Sequence, residues 1–198
     1  MFSWFRKQPS PQRQTAERLY TGVVVRSRNP FFYERFGVPD TVDGRFDMIL
    51  LHSFCVINAL NKQGQGGREL AQALYDVMFV DMDRSVREMG VGDLSVGKHV
   101  RRMMKAFNGR MHAYQAGIDN ASLDEALMRN LYGTVTGTVD PTNLTIMGDY
   151  IRNQVAALNT MNPDRLMQGD IEWAPVPGAG IKQRAPIVEP QKTDQAVA

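Results

Sequence analysis

Apolar residues recur along this chain at intervals of three and four, the spacing of a helix face, and nowhere clearly sustain the alternation of a half-buried strand. Ala16, Leu19, Tyr20, Val23 and Val24 predict a first helix over residues 12–28, which Pro30 ends. From residue 43 to 62 the chain is apolar nearly all round, the pattern of a helix enclosed by others. "NKQGQGG" reads as a glycine-rich loop, followed by a helix over residues 68–89. In "MGVGD", Gly90 and Gly92 reverse the chain and Asp93 is the expected cap of a helix running to residue 117. "SLDE" at residues 122–125 matches a capping box and opens a helix to residue 131. After the loop "GTVTGTVDPTN", whose "TVTGTV" is the one strand candidate, Leu144, Met147, Ile151, Val155 and Leu158 mark the next helix. Pro163 sits where a last short turn would begin. The pattern predicts an all-α fold, a single helical-bundle-like domain of six or seven helices over residues 12–171.

Composition adds the ends. Residues 172–198 carry Pro175, Pro177, Pro186 and Pro190 with little apolar content, and read as a disordered tail. Residues 1–11 read as a flexible start, in which Phe2, Trp4 and Phe5 beside Arg6 and Lys7 suit either a frayed end or weak contact with a membrane surface. At 198 residues, 43% hydrophobic and 22% charged, the chain has the make-up of a folded domain. The lone Cys55 fits a reducing compartment, and the absence of a signal-like start gives a cytoplasmic expectation.

A net charge of +2 implies no particular partner by itself, so position has to carry the electrostatic argument. On a wheel of about 100° per residue, Val96, Val100, Met103, Phe107, Met111 and Tyr114 share one face of the helix after the glycine turn. Lys98, Arg101, Arg102, Lys105 and His112 share the opposite face within about 100°, with no acid between Leu94 and Ile118. The preceding helix carries Glu69, Asp76, Asp81, Asp83 and Glu88 against Arg84 and Arg87. The basic face is either a solvated surface or a docking surface for something acidic, and an RNA- or ribosome-binding module acting through residues 98–112 is the alternative function. Asp81 falls in an otherwise apolar arc and requires a partner. Phe31, Phe32, Tyr33 and Phe36, between Pro30 and Pro39, either plug the core or form an exposed apolar patch.

Catalytic chemistry finds little support. Gly92 to Lys98 reads G-x-x-x-x-G-K, but a helix rather than a strand precedes it and His99 stands where Ser or Thr would bind magnesium, so no phosphate loop is expected. His52, His99 and His112 lack metal-ligand spacing, and His52 reads as a hydrogen-bonded core residue. The 12 methionines fall mainly at core spacing, which speaks against haem ligation. No cofactor, metal or enzymatic activity is expected.

The stretch "LYDVMFVDMDRSVREMGVGDLSVGKHVRRMMKAFNGRMHAY", with "VPDTVDGRFDMILLHSFCVINAL" before it and "LDEALMRNLYG" after it, closely resembles the ubiquinol–cytochrome c chaperone family. The resemblance covers residues 15–133 and includes the helix around residues 144–158. It implies an all-helical, non-enzymatic assembly factor that binds newly made cytochrome b and supports assembly of ubiquinol–cytochrome c reductase. Mitochondrial members act near the ribosomal exit with a small partner protein, and the lack of a visible transit peptide suggests a bacterial member. On that reading Lys98, Arg101, Arg102 and Lys105 form the charged docking face, Asp76 and Asp83 lie exposed on the facing helix, and the aromatic run at residues 31–36 is the candidate apolar patch. Peripheral contact with the cytoplasmic face of the inner membrane is part of the same expectation, and DNA is not.

Overall fold

A computed structural model describes residues 10–178. Among them are eight helices and no strand: α1 (Pro11–Ser27), α2 (Pro30–Glu34), α3 (Val42–Asn61), α4 (Gly64–Glu88), α5 (Asp93–Asp119), α6 (Leu123–Asn130), α7 (Pro141–Thr160) and α8 (Pro163–Met167). The all-α expectation holds, and the "TVTGTV" stretch is irregular rather than a strand.

Helix starts follow local chemistry. Thr41 Oγ1 accepts from the Gly44 N–H, Asp140 Oδ1 from Thr142 and Asn162 Oδ1 from Asp164, each satisfying a donor that the first turn leaves free. Proline opens α1, α2, α7 and α8, where its missing N–H removes no helical bond. Two expected caps are absent. Ser122 sits at the N-cap of α6 without a side-chain cap bond, and Gly92, not Asp93, occupies the N-cap of α5. Asp93 instead holds Arg87, and Asp124 within the first turn of α6 holds Arg152.

α3 is the axis of the molecule. Every residue from Leu50 to Leu60 is buried, because α1, α4, α5 and α7 all pack against it. The glycine run before α4 is not a loop: α4 begins at Gly64, whose φ of 70° makes the reversal, and Gly66 and Gly67 are already helical. Gly67 lies so close to α3 that a Cβ would overlap the Leu60 carbonyl oxygen. The close approach of α3 requires a glycine at residue 67, which the run of glycines alone does not distinguish from a loop.

Some polar groups in the core are matched, whereas the buried Tyr114 Oη and Arg110 Nε have no hydrogen-bond partner among the described residues. Tyr20 on α1 donates to Asp81 Oδ2 on α4 at 2.8 Å, which supplies the partner that Asp81 requires. His52 is fully buried on α3, as its hydrogen-bonded reading anticipated. Its Nδ1 lies 2.8 Å from the Met48 carbonyl, an acceptor only, so Nδ1 carries the proton and Nε2 accepts from Tyr150 Oη at 2.8 Å. Tyr150 in turn accepts from Arg26 Nε at 2.9 Å.

The folded part extends past residue 171, where composition alone placed the start of a disordered tail. Trp173 meets the His52 ring edge-on at 5.4 Å, Val176 is buried, and the Ala174 backbone exchanges two hydrogen bonds with the Gln154 side chain. Arg26 also donates to the Ala174 carbonyl. Proline-rich chain here lies in an extended strap whose backbone groups are taken by side chains of α1 and α7. Residues 179–198, and the aromatic-basic start at residues 1–9, lie outside the described residues.

Candidate docking surface

α4 and α5 form an antiparallel hairpin. Gly90 turns it at a φ of 79°, in space where a Cβ would meet nothing. Arg87, at the end of α4, holds the turn from within: its guanidinium reaches Asp83 and Asp93 at 2.7 Å each. The Gly92-to-Lys98 pattern is therefore the corner of a helix hairpin, with Gly97 and Lys98 already inside α5.

α5 turns Val96, Phe107 and Tyr114 into the core, while Val100, Met103 and Met111 are half-buried against it. Lys98, Arg101, Arg102, Lys105 and His112 are exposed on the other side. Among the described residues none of these forms an ion pair, and Arg102 contacts His99 Nδ1 at 3.3 Å. The wheel thus translates directly into a surface, since a helix packed on one side must present the opposite arc to solvent. Leu94, which the wheel places in that same arc, is fully exposed.

On α4, Asp76 is exposed and accepts from Gln72 at 2.8 Å, whereas Asp83 is half-buried and committed to Arg87. Asp76 and Asp83 border a shallow depression with Tyr75, Phe79, Val80 and Met104, so the acidic residues edge an apolar floor rather than forming a free acidic face.

The aromatic run is not an exposed patch. Phe32 is fully buried between His52 and Tyr150, and Phe36 is 6% exposed. Phe31 and Tyr33 are half-buried against the core, with Tyr33 Oη donating to the Ser27 carbonyl at 2.8 Å. The five-residue α2 directs these rings inward because α1, α3 and α7 leave a gap that only large side chains fill.

A cleft of about 410 Å³ opens on the other flank of α5, lined by Phe46, Val86, Met89, Met103, Arg102 and Arg110 among others. Asp47 lies at its base, 3% exposed, with Arg110 Nη2 at 2.9 Å from Oδ1. Burial pushes the Asp47 carboxyl up to about 7, against the pull of Arg110. No local pattern announces this pair, because it joins residues of α3 and α5 that lie far apart in the chain.

Other titratable groups stand in the core. Burial lowers His52 to about 3 and raises the Cys55 thiol, so the imidazole is neutral and the sulfur protonated near neutral pH. Among the described residues, no group of three or more His, Cys, Asp or Glu side chains is placed to hold a metal, and no helix is long and apolar enough to cross a membrane.

Fold and site together define a class: an all-helical module that presents a cationic stripe beside an apolar cleft. Within that class the chain belongs to the ubiquinol-cytochrome C chaperone family, whose model matches residues 34–173. It is similar to the ubiquinol-cytochrome-c reductase complex assembly factor 1 of Xenopus laevis, 29% identical over 164 residues and covering 81% of each chain. The Mus musculus and Homo sapiens proteins of that name are also 29% identical, over 178 and 164 residues, but this chain spans 60% and 54% of their lengths. The crystal structure of the Cbp3 homolog from Brucella abortus superposes with a TM-score of 0.74 at 31% identity, covering 87% of this chain and 95% of that one.

Proposed function

We propose that this protein is a non-enzymatic assembly factor of ubiquinol–cytochrome c reductase that binds newly made cytochrome b at the cytoplasmic face of the membrane. Lys98, Arg101, Arg102 and Lys105 are the charged docking face, and Asp76 and Asp83 flank it on α4. A small partner protein and a position near the ribosome belong to the same proposal.

One observation carries the residue assignment. Four exposed cations lie on one arc of α5 without an ion-pair partner among the described residues, while neighbouring Arg87 is doubly paired. Solvated surfaces usually intersperse both signs, so an unneutralised stripe suits an anionic partner. The family membership and the relatives' shared name as complex assembly factors support the coarser role.

The experiment is co-purification from a membrane-containing lysate. Reversing Arg101, Arg102 and Lys105 to Glu should abolish recovery of cytochrome b while far-UV circular dichroism stays unchanged. Recovery at the wild-type level would overturn the docking face. An RNA-binding role through the same stripe would instead give steeply salt-dependent RNA binding without client, although Phe107 and Tyr114 face inward and offer bases no stacking platform.

A further inference from the structure

Arg110 reaches the base of the cleft between α3 and α5 with its donors only partly committed. Its Nη2 lies 2.9 Å from Asp47 Oδ1, close enough for an ion pair but not aligned as a hydrogen bond. Its buried Nε has no hydrogen-bond partner among the described residues. A guanidinium carries five N–H donors in a fork that matches a carboxylate, so this one has room for a further acceptor. The walls above it are apolar: Val42, Phe46, Val86, Met89 and Met103 line a space of about 410 Å³, within the usual range of small-molecule sites. Val42 and Met89 are 64% and 54% exposed, so a ligand seated there removes apolar surface from water. The charged and titratable lining groups come from two helices, Asp43 and Asp47 from α3 and His99, Arg102 and Arg110 from α5. α4 contributes Val86 and Met89, and the segment after α6 contributes Thr134.

We propose that this cleft binds a free aliphatic monocarboxylate, its carboxylate on Arg110 and its chain along Phe46, Met89 and Met103. Asp47 takes up a proton from solvent as the ligand enters and donates it to the ligand carboxylate, because two carboxylates side by side do not both stay ionised. The two carboxyl groups then carry one negative charge against one arginine. Burial already brings Asp47 to about 7, so that proton is readily gained at neutral pH. Arg102 and His99 favour the anion and Asp43 opposes it, while the Tyr114 phenol, close enough to feel both Asp47 and Arg110, is kept protonated by burial. A cationic ligand would set its charge against Arg110, and a purely apolar one would leave Arg110 Nε without an acceptor. Flexible methionine walls suit an unbranched chain. The cleft shares only Arg102 with the docking stripe, so the proposal does not rest on the client reading.

The test is calorimetric titration of the purified full chain with sodium octanoate at about pH 6 and about pH 8, with acetate and 1-octanol as controls. Octanoate should bind saturably at both, about tenfold more weakly at the higher pH because the complex holds an extra proton on Asp47. Acetate lacks the chain and 1-octanol the charge, so each should bind at least about tenfold more weakly than octanoate at pH 6. Asp47→Asn should bind octanoate equally at the two pH values, whereas His99→Gln should keep the pH dependence. Arg110→Gln should abolish binding. Because that change also leaves Asp47 without its partner, Ala106→Leu provides a second variant, which fills the cleft and removes no charge; it should weaken binding about tenfold or more with far-UV circular dichroism unchanged. Absence of octanoate binding, equal binding of 1-octanol, or undiminished binding by Arg110→Gln or Ala106→Leu would overturn the proposal. So would a pH dependence that persists in Asp47→Asn. Cytochrome b recovery is read separately: its loss in the stripe variant alongside failed octanoate binding would defeat this proposal alone, and the reverse pattern would defeat the client reading alone.

Discussion

Tyr150 on α7 donates to the unprotonated Nε2 of His52 on α3 at 2.8 Å, and burial holds that imidazole neutral in the middle of the fold although the Nδ1–H bond to the Met48 carbonyl favours the charged form. The same tyrosine accepts from Arg26 on α1, so one hydroxyl joins three helices. Protonating His52 would remove the acceptor that Tyr150 needs and place an uncompensated charge in the core.

Two buried groups therefore set opposing pH dependences. His52 falls from 6.5 to about 3, so between those values the unfolded chain binds the extra proton and stability declines as pH falls, by about 1.4 kcal/mol per unit. Asp47 rises from 3.8 to about 7, so there the folded chain binds the extra proton and stability declines as pH rises. Their slopes oppose each other over most of that range. In Asp47→Asn only the His52 slope remains, and urea unfolding should show the variant gaining about 1.4 kcal/mol per pH unit relative to wild type from about pH 4 to pH 7. Parallel curves for the two proteins would disprove the Asp47 assignment.

Tyr20→Phe strips the donor from Asp81 Oδ2 and leaves a half-buried carboxylate without its partner. A loss of about 1–3 kcal/mol is expected in chemical denaturation. Combining it with Asp81→Leu should restore part of that loss, because two apolar groups no longer need each other.

Gly67→Ala and Gly109→Ala should move stability in opposite directions. At residue 67 the new methyl overlaps the Leu60 carbonyl and forces α4 away from α3, with a loss of about 1–3 kcal/mol. At residue 109 a Cβ meets nothing within 4 Å, so the better helix former should add up to about 1 kcal/mol. Thermal melts of the pair check both signs at once.

Trp173→Ala tests the strap. The indole packs on His52 and lies 5.9 Å from the Arg26 guanidinium, so its removal should cost about 2 kcal/mol and raise proteolytic cleavage after Arg165. Unchanged stability would mean the strap contributes no packing.

The longer helices were legible from an apolar arc at helical spacing, and α1 and α7 also from a proline at the first turn with a polar residue just before it. The stripe on α5 was legible for the same reason, since Lys98, Arg101, Arg102 and Lys105 share an arc whatever the helix packs against. The errors fall where the deciding partner is distant. Asp93 and Ser122 look like caps in sequence, yet Gly92 takes the N-cap of α5 and Ser122 makes no side-chain cap bond. Phe32 and Phe36 belong to a gap that α1, α3 and α7 create together, and no local pattern distinguishes that from a patch.

The sequence by itself determined the all-helical class, the hairpin with its two kinds of charge and the placement of cations on one arc, because these depend on residues within a few turns of each other. Only the tertiary structure decided that Leu94 stands exposed among those cations, that Asp47 lies buried against Arg110, and that residues 172–178 belong to the fold. Exposure, burial and pairing are properties of what comes together in space, and the chain brings those residues together from separations that no periodicity spans.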